Sequence, residues 1–362
     1  MTDTSTVVFV AHTGQVSGAE KMLLALVDRA SETGHTVVVA SPGGALATAL
    51  PDGVRHVTIP ELGLGGQRGV ARVMAAGQML ARWWSAGRTL RPLVRGAGTA
   101  TVVNSLFALP ATRIARPPRG ASWLVHDVMA SGRQRAVTRL GRGVVRRAVA
   151  CTEAAAAPVR AAGLDVELVP YGVPWPVEDF GRESVGTPPV VGMLALLTPW
   201  KGHRVLLDAL ALTPGVEVEL AGGSFPSDET YVAELRERAS EPDLSGRVRF
   251  LGHVKLDDAL RRWDVVVSTS VLPEAGPLAV LEAMSHGLPV IATDHGGPTE
   301  FLRDGAGVLV PPGDPTALSR AVQDVLSDGT RRATLGARAR AKVGAEHNIS
   351  ITMPALLEAL IA

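Results

Sequence analysis

The chain has 362 residues, 46% of them hydrophobic, and its 36 Lys+Arg stand against 35 Asp+Glu. That length accommodates two domains of ordinary size, and that apolar content excludes a disordered chain. No apolar run reaches the ~18 residues that a membrane-crossing helix needs.

In chain order, β-branched runs at residues 7–11, 37–40, 101–103, 123–125, 148–152 and 167–170 predict strands. Amphipathic stretches at 19–31, 70–90 and 136–147 predict helices. Residues 170–189, PYGVPWPVEDFGRESVGTPP, are rich in Pro and Gly without periodicity and predict a linker. The alternation then restarts, with strands at 190–195, 217–221, 248–251, 265–268, 290–293 and 308–310 and helices between them. Strands alternating with helices imply parallel sheets. The expected architecture is therefore α/β, with two doubly wound, Rossmann-like domains at 1–175 and 176–347 and the ligand in the deep cleft between them.

Charge divides along the same line. Residues 1–175 hold 19 Lys+Arg and 10 Asp+Glu, about +9, and the remainder is about −8. Six Arg fall between Arg133 and Arg147 with no acid among them. A basic face attracts anionic lipid or a phosphate-bearing acceptor, whereas a solvated Arg helix opposing an acidic second domain is the alternative. No nucleic-acid partner is expected. The lone cysteine, Cys151, excludes an internal disulfide and fits a reducing cytoplasm, with the inner face of the membrane as a peripheral location. The opening residues, MTDTSTVVFVAH, carry no basic stretch and run straight into a strand, so no signal peptide is expected.

Three stretches carry the candidate chemistry. After the first strand, the loop with Gly18 brings backbone to a helix start, where phosphate binds; an ordinary tight turn reads as well. His126 follows a strand at its carboxyl end, the edge where open α/β sheets hold ligands. The densest stretch is residues 273–297, PEAGPLAVLEAMSHGLPVIATDHGG. Pro277 and Gly287 bracket a helix of about 277–286. Glu274 then lies in the loop before it and Glu282 inside it. A helix N-terminus suits phosphate and a carboxylate suits sugar hydroxyls, so one short element holds what a nucleotide sugar presents.

This segment resembles the E-x7-E signature of GT-B glycosyltransferases of the glycogen synthase/mannosyltransferase type, retaining family 4. The resemblance implies that Glu274 faces the donor sugar, Glu282 the ribose hydroxyls, and the N–H groups of Leu278 and Ala279 the phosphates. Thr198-Pro199-Trp200-Lys201-Gly202-His203 resembles the family's Arg-Leu-x-x-x-Lys-Gly loop, whose Arg and Lys clamp the diphosphate. Lys201 matches; Leu196 stands at the Arg position, and Arg204, three residues beyond Lys201, is the substitute cation. By the same resemblance Val254 lies in the loop that holds the nucleobase, Gly18 in a donor-side glycine loop, and His126 against the donor sugar. The last segment, 348–362, is expected to cross back onto the first domain.

The activity implied is transfer of a sugar from a nucleotide-diphosphate sugar to an acceptor hydroxyl, with retention, in cell-surface polysaccharide, glycolipid or natural-product biosynthesis. His126, Glu274 and Lys201 form the expected catalytic set, and the acceptor is lipid-linked or phosphorylated if the basic face binds it. No Asp-x-Asp pair, His-x-x-x-His or Cys pair occurs, so neither a metal nor a cofactor beyond the donor is expected. An epimerase or inverting transferase on the same fold, and a non-catalytic relative that only binds, remain alternatives; Leu196 feeds the last.

Overall fold

The structure, a computed structural model, describes residues 5–63, 70–176, 178–181 and 184–362, with backbone alone for 70–74. The chain forms two compact units, Met1–Tyr171 with Ile351–Ala362, and Gly172–Ser350. Among the described residues no helix is long and apolar enough to cross a membrane.

The first unit is built on β1 (Thr6–Val10), β2 (Thr36–Ser41), β3 (Arg55–Thr58), β4 (Thr99–Val103), β5 (Ala121–Val125), β6 (Val145–Ala150) and β7 (Val166–Leu168). They form one sheet in the order β3-β2-β1-β4-β5-β6-β7, and every pair is parallel. Helices cover both faces of such a sheet, so its central strands are continuous apolar runs; Val7 to Val10 are fully buried. The order reverses at β1/β4, the switch point where the carboxyl ends splay and leave a crevice.

Strand β3 has no counterpart in the expected set. Arg-His-Val-Thr is an edge strand pairing only with β2, half-exposed, and carries no apolar run to signal it. The helix expected at 136–147 is a second correction. It spans Gly132–Gly141, a single 3-10 turn follows, and Val145–Ala150 is β6. The six Arg therefore do not share one helical face. Arg146 donates to the main-chain oxygen of Ala362, and Arg147 Nη1 donates to that of Ala359 at 3.1 Å. Both oxygens belong to the end of helix Ile349–Ile361 or lie just past it, where a cation meets the negative end of the dipole. Part of the basic run thus fastens the C-terminal helix to its unit.

The second unit holds β8 (Val190–Leu194), β9 (Glu217–Ala221), β10 (Val248–Gly252), β11 (Val265–Ser268), β12 (Val290–Thr293) and β13 (Val308–Val310). Their order, β10-β9-β8-β11-β12-β13, is again parallel throughout and reverses at β8/β11. Gly192 inside β8 lets buried Trp263 lie flat on the strand, for a Cβ there would meet the indole at 1.8 Å. The indole N–H donates to Glu219 at 2.7 Å, and Arg262 and Arg249 neutralise that buried carboxylate.

The segment expected as a linker is docked for much of its length. Phe180 stacks on His286 with centroids 4.7 Å apart, and Arg261 and Arg340 lie over Phe180 and Trp175. Tyr171 and Val173 are buried, and Phe180 is half-buried against His286, contacts that a Pro- and Gly-rich composition concealed.

Candidate active site

In the second unit, the carboxyl ends of β8 and β11 lead into two loops that are locked together. The β8 loop ends in the 3-10 turn Pro199–Lys201, and Gly202 follows in the left-handed region, φ 76°. A Cβ on Gly202 would lie 1.9 Å from the carbonyl oxygen of Thr269, just past β11. The Thr269 hydroxyl hydrogen bonds the carbonyls of Lys201 and Gly202 at 3.1 and 3.0 Å. Glycine here is required by both conformation and contact.

This lock aims Lys201 at Glu274. Their side chains form an ion pair, with Lys201 16% and Glu274 8% exposed, and the Lys201 ammonium also lies 4.3 Å from the centroid of the Trp200 ring. The other Glu274 oxygen accepts from the Ser270 hydroxyl. Ser270 is fixed in turn, its carbonyl accepting from Thr293 Oγ1 at 2.9 Å and from His295 Nε2 at 2.8 Å. The Gly296–Gly297 pair closes behind. Gly297 N–H donates to the Glu274 carbonyl at 2.7 Å, and a Cβ on Gly296 would meet that oxygen at 2.3 Å. Two bonds thus hold the Glu274 carboxylate and the glycine turn holds its backbone, while further carboxylate lone pairs stay free to accept.

Helix Leu278–Ser285 begins beside this pair, with Pro277 as its N-cap rather than its first residue. Pro277 offers no side-chain cap, and the N–H groups of Leu278 and Ala279 have no partner among the described residues. Two donors and a positive dipole end thus stand open next to Lys201, and Lys201, Glu274, Pro277 and Ala279 line one small cavity. Glu282, one turn into the helix, is half-buried. Val254 is exposed in the loop beyond β10. Arg204 takes a different direction: its guanidinium pairs with Asp208, one turn along its own helix, at 3.1 Å. It is not brought to the Lys201–Glu274 pair.

In the first unit the corresponding edge collects His12, Asn104 and His126 just past β1, β4 and β5. Nε2 of His126 lies 2.8 Å from Asn104 Oδ1, and Nδ1 lies 2.6 Å from the Tyr171 hydroxyl. Asn104 spends its amide N–H on the Ala19 carbonyl, so its oxygen faces His126 and must accept. His126 is therefore the neutral Nε2–H tautomer, with Tyr171 donating to Nδ1. Burial first, and the charge of His12 second, push its pKa down from 6.5 to about 3. Gly18 opens helix Gly18–Glu32, but nothing approaches it closely. The Ser17 N–H already donates to Glu20 in a capping box at 3.1 Å. The glycine that contact requires in this loop is Gly14, whose Cβ would lie 2.0 Å from the Gly43 carbonyl oxygen.

His203, after Gly202, has no exposed surface, and burial first, then the Lys201 charge, lower its pKa to about 3. A histidine whose pKa falls on folding binds its proton better in the unfolded chain. Stability is then unaffected above the unfolded value, 6.5, and is lost as pH falls towards about 3. The urea midpoint should stay level down to about pH 7 and decline from there towards about pH 5, before most carboxylates titrate. His203→Leu, which removes one of the two histidines whose pKa is lowered to about 3, should make that decline shallower, with His126 carrying the remainder. A midpoint that rises on acidification would contradict the assignment.

The sequence reading missed Ser270, Asn104 and Tyr171. Ser270 follows β11 directly, so the strand-end rule could have found it. Asn104 follows β4 in the same way. Tyr171 gives no such signal.

Comparison with known proteins bears chiefly on the second unit. Residues 177–342 match the family of glycosyl transferases group 1. The lipopolysaccharide core biosynthesis glycosyltransferase LpsE of Rhizobium meliloti is 34% identical over 164 residues, 43% of this chain and 46% of LpsE. The D-inositol 3-phosphate glycosyltransferase of Mycolicibacterium smegmatis is 30% identical over 290 residues, 76% of this chain and 63% of that protein. The chain spans about half the length of the curated relatives it matches. The Anabaena protein HepE, solved in complex with UDP-glucose, shares the fold at a TM-score of 0.79 and 23% identity, over 98% of this chain and 99% of HepE. The fold is GT-B, two parallel Rossmann-like units, and the group 1 glycosyl transferase match falls on the unit that carries the Lys201–Glu274 pair. Among the described residues no group of three or more His, Cys, Asp or Glu is placed to hold a metal ion.

Proposed function

We propose that the chain transfers a sugar from a nucleoside-diphosphate sugar to an acceptor hydroxyl, with retention and without a resident metal. The observation that carries this reading is the Lys201–Glu274 pair, fixed beside the open N-terminus of helix Leu278–Ser285. The second unit holds the donor. Its diphosphate takes the N–H groups of Leu278 and Ala279 and the Lys201 ammonium, Glu282 takes the ribose hydroxyls, and Glu274 takes a sugar hydroxyl. The loop with Val254 lines the base.

As the bond from the anomeric carbon to the diphosphate breaks, negative charge grows on the leaving oxygen, where Lys201 and the two N–H groups stabilise it. The acceptor oxygen bonds to the same face of that carbon, and its proton passes to the leaving phosphate oxygen. The state of His126 supports this route. Both of its nitrogens are engaged and its pKa is low, so it is poorly placed to serve as the base that an inverting reaction needs. It is held instead as a fixed, neutral imidazole. The acceptor belongs to the first unit, and the names of the relatives, a lipopolysaccharide core glycosyltransferase and a phosphatidylinositol monomannoside mannosyltransferase, favour a glycolipid.

Calorimetric titration with UDP, GDP and their sugars, followed by turnover with and without EDTA, tests the reading. One nucleoside diphosphate should bind, its sugar should be transferred or slowly hydrolysed in EDTA, and the first-formed product should keep the donor's anomeric configuration by NMR. Binding without turnover would make the chain a binding protein. Loss of activity in EDTA restored by Mg²⁺ or Mn²⁺ would overturn the metal-free mechanism, and inversion would overturn the front-face route.

A further inference from the structure

The first unit contains a cavity of about 790 Å³ that the proposed reaction does not use. Arg88, Arg91, Arg95, Arg113 and Arg116 line it, with Trp84 at its side. No carboxylate lines it, and among the described residues none of the five Arg forms an ion pair. Its place in the fold separates it from the candidate active site. Arg91 and Arg95 precede β4, and Arg113 and Arg116 precede β5, so the cavity lies at the amino-terminal edge of the sheet. His12, Asn104 and His126 lie at the carboxyl edge.

The walls are built firmly. Helix Val70–Leu90 packs tightly on helix Leu109–Ala115, since a Cβ on Gly87 would lie 2.6 Å from the Ile114 side chain. Arg113 Nη1 donates to the Leu140 carbonyl at 2.6 Å, which fixes one guanidinium beneath the others. Arg116 caps its helix in the left-handed region, φ 57° and ψ 64°, a conformation that side-chain-bearing residues adopt rarely and that clusters at functional positions. Five like charges around one concave surface repel one another, and an anion relieves that repulsion. Guanidinium groups match phosphate oxygens in pairs, with charge-assisted bonds.

We propose that this cavity is a binding site for a phosphate ester carrying two or more negative charges, separate from the donor site. The ester is either a soluble phosphorylated compound or a phospholipid headgroup, and the chemistry of recognition is the same. Trp84, 58% exposed beside the cations, gives either ligand an aromatic face.

The test uses the full chain with pyrophosphate as the soluble probe. Arg91→Gln/Arg113→Gln is the main variant, and Arg88→Gln/Arg95→Gln the second, should loss of the Arg113–Leu140 bond impair folding. Pyrophosphate should slow hydrogen exchange in peptides covering 84–95 and 113–120. Each variant should lose that protection, with affinity there reduced about tenfold or more, while nucleotide titration is unchanged. Sedimentation with vesicles of phosphatidylcholine containing phosphatidic acid, against phosphatidylcholine alone, separates the sources. Acidic-vesicle binding lost in the variants assigns a lipid headgroup, and pyrophosphate protection without vesicle binding assigns a soluble ester. Absence of both, or the same protection and vesicle binding in wild type and variants, overturns the site. Failure of the nucleotide titration alone bears on the donor reading and not on this one.

Discussion

Glu274→Gln should lower kcat by about 100- to 1000-fold while donor KM holds or falls, the range seen when one preorganised electrostatic contact is removed. The amide keeps the shape and one hydrogen-bond acceptor, so the Ser270 contact survives and the loop closed by Gly296 and Gly297 stays put. What disappears is the negative charge beside the sugar, whose ring gains positive charge only as the bond to phosphate breaks. An interaction that grows in the transition state appears in kcat rather than in KM. Release of Lys201 from its partner frees its charge for the diphosphate, which keeps KM from rising. Glu282→Ala is the contrast: a ribose contact made equally in ground and transition states should raise KM and leave kcat near its starting value. Steady-state kinetics of both variants decide this, and a KM effect alone for Glu274→Gln contradicts the division of roles.

What could be read from the sequence depended on whether a feature was local. The interior strands were legible because a sheet buried on both faces demands unbroken β-branched runs, as in Val7 to Val10. The edge strand Arg55–Thr58 was not, since its burial is partial and its pattern polar. The helix at Gly132–Gly141 was extended too far because Arg142, Arg146 and Arg147 look like a continuing solvated face. Only contact with the helix ending near Ala362 reveals that two of them are structural. In the site, Lys201 and Glu274 stood out because their loops resemble known signature loops, and Gly202 and Gly296 prove to be residues that lock those loops. Arg204 shows the opposite case. Lys201 ends a 3-10 turn and Arg204 sits in the helix that starts after the left-handed Gly202, so the chain changes direction between them and nearness in sequence did not aim both at the same target. Asn104 and Tyr171 come from distant segments and meet at His126 only after folding.

Lys201→Ala should weaken nucleotide binding by about 1.5–3 kcal/mol, the loss expected for one charge-assisted hydrogen bond. The structure adds a second consequence that the loop sequence alone did not carry. Lys201 is the ion-pair partner of a carboxylate only 8% exposed. Truncation leaves that charge without its counter-charge in a setting walled by Ser270 and the Gly296 turn, and breaking a buried pair in this way costs about 3–5 kcal/mol of stability. Ser270 continues to donate to Glu274, which places the expected loss at the lower end. The two effects separate in a double variant. Lys201→Met/Glu274→Leu removes both charges and keeps apolar volume, so stability should return to near the starting value, because paired apolar replacements are often neutral. Nucleotide affinity should remain as low as in Lys201→Ala, because no cation meets the diphosphate. Urea denaturation and calorimetry on the same three proteins read the two quantities independently. If nucleotide affinity is unchanged in Lys201→Ala, the phosphates lie elsewhere. If stability is unchanged as well, the Lys201–Glu274 pair does not exist in solution.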